Sequence, residues 1–164
     1  MSSKTSSSTK SKELKIITRY VVTLKDVEKD PRKIKLLHII KSYGEISEKA
    51  LQYLVYHLAK DKGIDLGYKF LVIGNVPSSK ELKEDMVALL YVGLIETNPK
   101  NKKLRITGLG KEFLEKVSIP KEEADRIASA IEELRSRIQS IDAEVEMTIR
   151  ELARMMRRRR RRLI

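Results

Sequence analysis

Side chains suited to acid–base or metal chemistry are scarce in this chain. There are two histidines, His38 and His57, and no cysteine. Each histidine lies within an apolar helical stretch. Neither is read as having an acid or a second histidine at ligand spacing, so both are expected to be packed, structural residues. The absence of cysteine excludes disulfides and thiolate zinc sites. The stretch GNVPSSK, Gly74 to Lys80, echoes half of a phosphate loop. It lacks the glycine before the lysine that lets backbone N–H groups wrap a phosphate. No carboxylate pair or nucleophile–base pairing stands out, so no enzymatic activity, metal or cofactor is expected. The chemistry on offer is anion binding. Arg154 leads into an unbroken run of Arg157, Arg158, Arg159, Arg160, Arg161 and Arg162, and Lys100, Lys102, Lys103 and Arg105 cluster around a polar turn.

The charge balance points the same way. The 164 residues carry a net charge of +12, and the pI is near 9.8. Residues 31–120 hold 16 basic and 10 acidic side chains, residues 121–153 five and nine, and residues 154–164 seven and none. The basic charge thus sits in the middle block and at the extreme end, with an acidic stretch between. Such a balance favours a polyanionic partner, nucleic acid before an anionic membrane. The N-terminal MSSKTSSSTKSK is polar and does not read as a signal peptide, and no apolar run is long enough to span a bilayer. The expectation is a cytoplasmic, nucleoid-associated protein without a membrane partner. Abundant Lys, Glu and Ile with only two glutamines lean towards a thermophile.

The elements that must position these cations can be read from local signals. Residues 1–12 form a Ser/Lys/Thr-rich tail expected to be disordered. Residues 14–24, LKIITRYVVTL, are rich in β-branched side chains and predict a strand. Asp30-Pro31 starts a helix, with Asp as cap and Pro in the first turn, that ends at Gly44. Ser47 opens a second helix reaching about Lys62. Residues 63–77 predict a loop with one short strand, Phe70 to Ile73. SSKE, Ser78 to Glu81, is a capping box that starts a third helix over residues 78–92. LIET, NPKNKK and LRIT then predict a hairpin with a Lys-rich tip. GLGKEFLEKV is a short helix, and Ser118 and Pro120 begin the last one.

Three helices followed by a basic hairpin is the order of a winged helix-turn-helix. Gly93-Leu94-Ile95-Glu96, the hairpin, and then Thr107-Gly108-Leu109-Gly110-Lys111-Glu112-Phe113-Leu114 resemble archaeal and bacterial winged-helix transcription regulators of the MarR and PadR kind. The resemblance covers about residues 31–117. It implies a mainly α fold with a small β-hairpin (α+β) that binds double-stranded DNA. The helix over residues 78–92 would enter the major groove, with Ser78, Ser79, Lys80 and Lys83 at bases or phosphates. Lys100, Lys102, Lys103 and Arg105 on the wing would meet backbone phosphates. Glu81, Glu84 and Asp85 place acid on the same helix, where phosphates would repel it.

The last helix carries a heptad seam. Ala124, Ile131, Ile138, Val145 and Leu152 take one position, and Ile127, Leu134, Ile141, Thr148 and Met155 the other. This periodicity predicts a coiled coil and a homodimer held by Ile127, Ile131, Leu134, Ile138, Ile141, Val145, Leu152 and Met155. An antiparallel pairing centred between Gln139 and Ser140 would match Arg137 with Glu144, Arg135 with Asp142 and Arg158 with Glu123. It would also set each arginine run beside the partner's winged domain. The seam could instead pack back onto its own domain, although a short domain would cover only part of so long a helix. The expected organisation is a tail (1–12), a winged-helix domain (13–119), a dimerisation helix (120–156) and an arginine-rich tail (157–164). The expected function is that of a duplex-DNA-binding regulator or chromatin-like architectural protein. The alternatives are an RNA- or ribosome-associated protein and a winged helix that binds other proteins.

Overall fold

Capping residues and glycines divide the chain as the local signals suggest. The computed structural model describes residues 21–163. Asp30 accepts a hydrogen bond from the Arg32 N–H at 3.1 Å and, with Pro31 in the first turn, starts a helix that stops at Gly44. The Ser47 hydroxyl accepts from the Ala50 N–H at 3.2 Å and starts the next. The order is α1 Leu24–Glu28, α2 Pro31–Tyr43, α3 Glu48–Lys62, β1 Leu71–Ile73, β2 Val76–Ser78 and α4 Lys80–Tyr91. Then follow β3 Ile95–Thr97, β4 Leu104–Ile106, α5 Gly108–Lys116 and α6 Lys121–Arg162. The fold is mainly helical, with two small antiparallel hairpins and a long C-terminal helix. No helix among the described residues is long and apolar enough to cross a membrane.

Four expectations need correction. The strand predicted over residues 14–24 is not formed where it can be seen. Residues 14–20, like the tail over 1–12, lie outside the described residues, and Thr23 caps α1 in a reciprocal bond with Asp26. Residues 63–77 hold not one strand but most of a hairpin, because Gly74 and Asn75 both adopt positive φ and turn β1 back onto β2. The final helix begins after Pro120 and runs unbroken to Arg162, so the arginine run is its last two turns rather than a separate tail. The boundary at 119/120 does not separate two packing units. Ile127, Ile131, Leu134 and Ile138 lie in one core with Leu36, Leu37 and Ile40 of α2 and Leu51, Leu54 and Leu58 of α3.

That shared core corrects the dimer seam. Ile127, Ile131 and Ile138 are fully buried and Leu134 nearly so within a single chain. Each contributes about 1.5–3 kcal/mol by leaving water, and α2 and α3 already supply the cover a second helix would have given. The flanking charges are committed as well. Arg137 pairs with Asp61 at 3.3 Å, Lys35 with Glu123 at 2.7 Å, and Arg135 with Glu132 at 2.6 Å. The antiparallel register centred at Gln139 and Ser140 therefore cannot form without dismantling the domain. Ile141 and Val145 are half-buried, and only Leu152 and Met155 of the eight seam residues remain exposed.

Candidate nucleic-acid interface

Helix α4 is set by its first residue. Ser79, not Ser78, is the cap. Its hydroxyl accepts from the Leu82 N–H at 3.3 Å and donates to Glu81 at 3.2 Å. Its backbone N–H donates to the Gln52 side-chain oxygen at 2.9 Å, and its carbonyl accepts from the Gln52 amide at 3.3 Å. Ser79 is 1% exposed and so is removed from the set of groove contacts. Ser78, the last residue of β2, is exposed, as are Lys80 and Lys83.

One of the three acids on this helix turns inward. Asp85 is 3% exposed and accepts from Arg32 Nε at 2.8 Å, Arg32 Nη2 at 3.3 Å and the Tyr68 hydroxyl at 2.7 Å. Lys33 approaches it at 3.3 Å. Burial, reinforced by the Asp85 carboxylate, holds the Tyr68 hydroxyl far above the usual phenol range. Glu81 accepts from the Lys69 N–H at 3.1 Å, which keeps its carboxyl below the ordinary range. Glu84 is exposed, 3.7 Å from Lys80, and Glu81 is partly exposed beside it. The solvent face of α4 is therefore Lys80, Lys83, Glu84, Val87, Leu90 and Tyr91.

The second hairpin is tied to the body. Leu104 and Ile46 exchange backbone hydrogen bonds at 2.7 and 3.0 Å, so the segment before α3 lies against β4. At the tip, Asn98 Oδ1 accepts from the Lys100 N–H and Asn101 Oδ1 from the Lys103 N–H, both at 3.0 Å. Glu45 accepts from both asparagine amides, at 3.0 and 2.8 Å. Arg105 is committed to Glu96 at 2.7 Å and Glu45 at 3.5 Å, and Lys103 lies 3.9 Å from Glu146 of α6. Lys100 and Lys102 are exposed and have no acidic partner among the described residues.

The corner between α4 and this hairpin explains the Gly-Leu-Ile-Glu and Thr-Gly-Leu-Gly stretches. The Thr107 hydroxyl donates to the Gly93 carbonyl at 2.6 Å and accepts from the Gly110 N–H at 3.0 Å, capping α5. A Cβ at residue 110 would stand 2.2 Å from the Leu94 carbonyl oxygen, so only glycine admits this approach of α5 to β3.

These elements converge on one cleft of about 370 Å³. Lys49 of α3, Lys83 of α4 and Lys102 of the hairpin stand around it, with one acid, Glu48 of α3, and with Ser78 and Gln52, over a floor that includes Pro77 and Val145. Lys49 has no sequence signal beyond its place two residues after the Ser47 cap, and reading the sequence missed it. Helix α6 leaves the body beside this cleft. Asp142, buried on α6, accepts from the Ser47 N–H at 2.9 Å and the Tyr43 hydroxyl at 3.3 Å. Burial and the Asp142 charge push the Tyr43 hydroxyl up to about 12. Beyond Arg150 every described residue of the chain is exposed. Arg154, Arg157, Arg158 and Arg161 share one side of this arm, and none of its seven arginines has an acidic partner among the described residues.

Neither histidine joins the cleft. His38 contacts the Ser42 hydroxyl at 3.3 Å. His57 corrects the sequence reading, since Asp61, one turn on, meets its Nδ1 at 3.0 Å. No group of three or more potential metal ligands occurs among the described residues. No family model, curated protein or solved structure matches the chain.

Proposed function

We propose that the chain binds duplex DNA as a winged-helix protein and acts as an architectural, sequence-tolerant binder rather than a site-specific regulator. The observation that carries this reading is the convergence of Lys49, Lys83 and Lys102, from three separate elements, on one cleft beside an arm bearing seven arginines. The order α2, α3, α4, β3–β4 and the pairing of Ile46 with Leu104 are those expected of a winged helix with its wing. The burial of Asp85 against Arg32, Lys33 and Tyr68 removes one of the three acids that α4 would otherwise offer to phosphates.

The choice of architecture over regulation rests on what α4 lacks. Specific readout in the major groove uses bidentate Arg or Lys at G and Asn or Gln at A. Helix α4, KELKEDMVALLY, has no Arg, Asn or Gln and offers only Lys80 and Lys83 of this set, and nearby Gln52 is spent on Ser79. The exposed cations are suited to phosphates, which fix register and affinity without reading sequence.

A homodimer along the whole seam has no place in this reading. Beyond the core, the seam positions are Val145, Thr148, Leu152 and Met155, followed by Arg159 and Arg162. A free-standing coiled coil needs about three to four apolar heptads.

The test is an electrophoretic shift on random and genomic duplexes, and on RNA of equal length, over a salt series. Architecture predicts similar affinity for all duplexes, falling about 10³–10⁵-fold between 50 and 200 mM salt if 6–10 phosphates are neutralised. Tight binding to a few genomic sites would make the chain a regulator. Preference for RNA would sink the DNA reading.

A further inference from the structure

We infer that the β1–β2 hairpin is an apolar wedge that inserts at a base step of duplex DNA and kinks it, an inference that rests on the DNA reading above. Ten consecutive residues, 70–79, carry no charge. Antiparallel register places Leu71 beside Ser78 and Ile73 beside Val76 on one face, with Val72 and Pro77 on the other. Pro77 is buried and Val72 is 46% exposed, so the first face is the more open of the two. Leu71 is 66% exposed, Ile73 70% and Val76 40%.

The ridge is rigid. Gly74 and Asn75 have φ of 56° and 64°, as the tight two-residue turn of a twisted hairpin requires. The Tyr53 hydroxyl of α3 donates to the Asn75 carbonyl at 3.1 Å, pinning the tip. Tyr56 of α3 meets Phe70 edge-on at 5.4 Å, pinning the base. β2 ends at Ser78 and Ser79 caps α4, so hairpin and helix approach a partner as one piece.

Its surroundings select the occupant. Lys69 and Lys80 border the same depression as Leu71, together with Glu81, which accepts from the Lys69 N–H, and Glu84, 3.7 Å from Lys80; Lys83 follows one turn along α4. An apolar ridge between lysines cannot lie against phosphates. It fits a partly unstacked base step, with the lysines taking the phosphates on either side, which is how apolar wedges kink a duplex. Pyrimidine–purine steps unstack most readily and are the expected points of entry.

The test uses the full chain and a duplex with a dye at each end and 2-aminopurine at a central TA step. Wild type should raise the 2-aminopurine fluorescence and bring the two dyes closer. A Leu71→Ser/Ile73→Ser variant, altered only at exposed positions and checked for an unchanged melting temperature, should bind about tenfold more weakly and leave the duplex straight. Its affinity should return on a duplex with a central two-base mismatch, where unstacking is already cheap. Wild-type binding without kinking, or kinking that survives in the variant, removes the wedge and leaves DNA binding intact. Failure of wild type to bind any duplex removes both. Sedimentation with phosphatidylserine vesicles that depends on Leu71 and Ile73, together with an unkinked duplex, would assign the ridge to a membrane surface instead.

Discussion

The two halves of α6 obey one heptad pattern and meet opposite fates. From Ile127 to Ile138 the seam is buried against α2 and α3, and at Asp142 the helix is bonded to the start of α3. From Arg150 onward the same spacing carries Leu152 at 52% and Met155 at 56% exposure, ringed by arginine. The twenty residues from 143 to 162 extend roughly 30 Å at 1.5 Å per residue. Heptad spacing therefore shows that a face needs cover without naming what covers it. The proximal half finds its partners within the chain, and the distal half presents its charge outward.

The contrast can be tested from its largest consequence down. Deleting residues 151–164 removes seven arginines and no core side chain. It should leave the melting temperature within about 2 °C while flattening the salt dependence of duplex binding by about 0.9 for each phosphate no longer neutralised. A fall of many degrees on thermal melting would show that the arm is part of the core. Next in size, Ile131→Ala should cost about 2–5 kcal/mol in urea unfolding because it opens a cavity in the core, whereas Leu152→Ala should stay within about 0.5 kcal/mol. Equal losses would erase the distinction between the halves.

The point of departure can be probed separately. Asp142→Ala strands the Ser47 N–H and the Tyr43 hydroxyl, and should cost about 1–3 kcal/mol with little effect on the salt slope. The smallest effect concerns pH. Hydrogen bonds from Arg135 hold the Glu132 carboxyl below its ordinary value of 4.5. A depressed carboxyl adds stability that is present above its unfolded value and lost as pH falls through the folded one. Acidification below 4.5 should therefore slightly loosen the proximal half, and Glu132→Gln should abolish that part of the pH dependence. An unchanged acid titration in the variant would remove this pair from the anchoring of α6.

What could be read in the sequence was local. Asp30-Pro31, Ser47, the Lys-rich hairpin and the start of the final helix at Pro120 each announce themselves within a few residues, whereas the run of that helix through Arg162 does not. Ser78 and Ser79 are adjacent and chemically alike, so only the buried Gln52 contact decides which one caps α4. The β1–β2 hairpin hides in strands of three residues, although Gly74-Asn75 is a turn dipeptide that could have located it. The His57–Asp61 pair was visible at helical spacing and was overlooked. The cleft could not be read at all, because Lys49, Lys83 and Lys102 come together only through tertiary packing.

Amide hydrogen exchange along α6, with and without duplex DNA, tests the central claim most directly. In the free chain the account predicts strong protection from about Ile127 to Asp142, where side chains are buried. Protection should decay beyond Arg150, since a solitary helix of that length is marginal in water. Duplex DNA should protect the amides from Arg154 to Arg162 and leave the proximal half unchanged. Uniform protection through Arg162 in the free chain, or an arm indifferent to DNA, would contradict it.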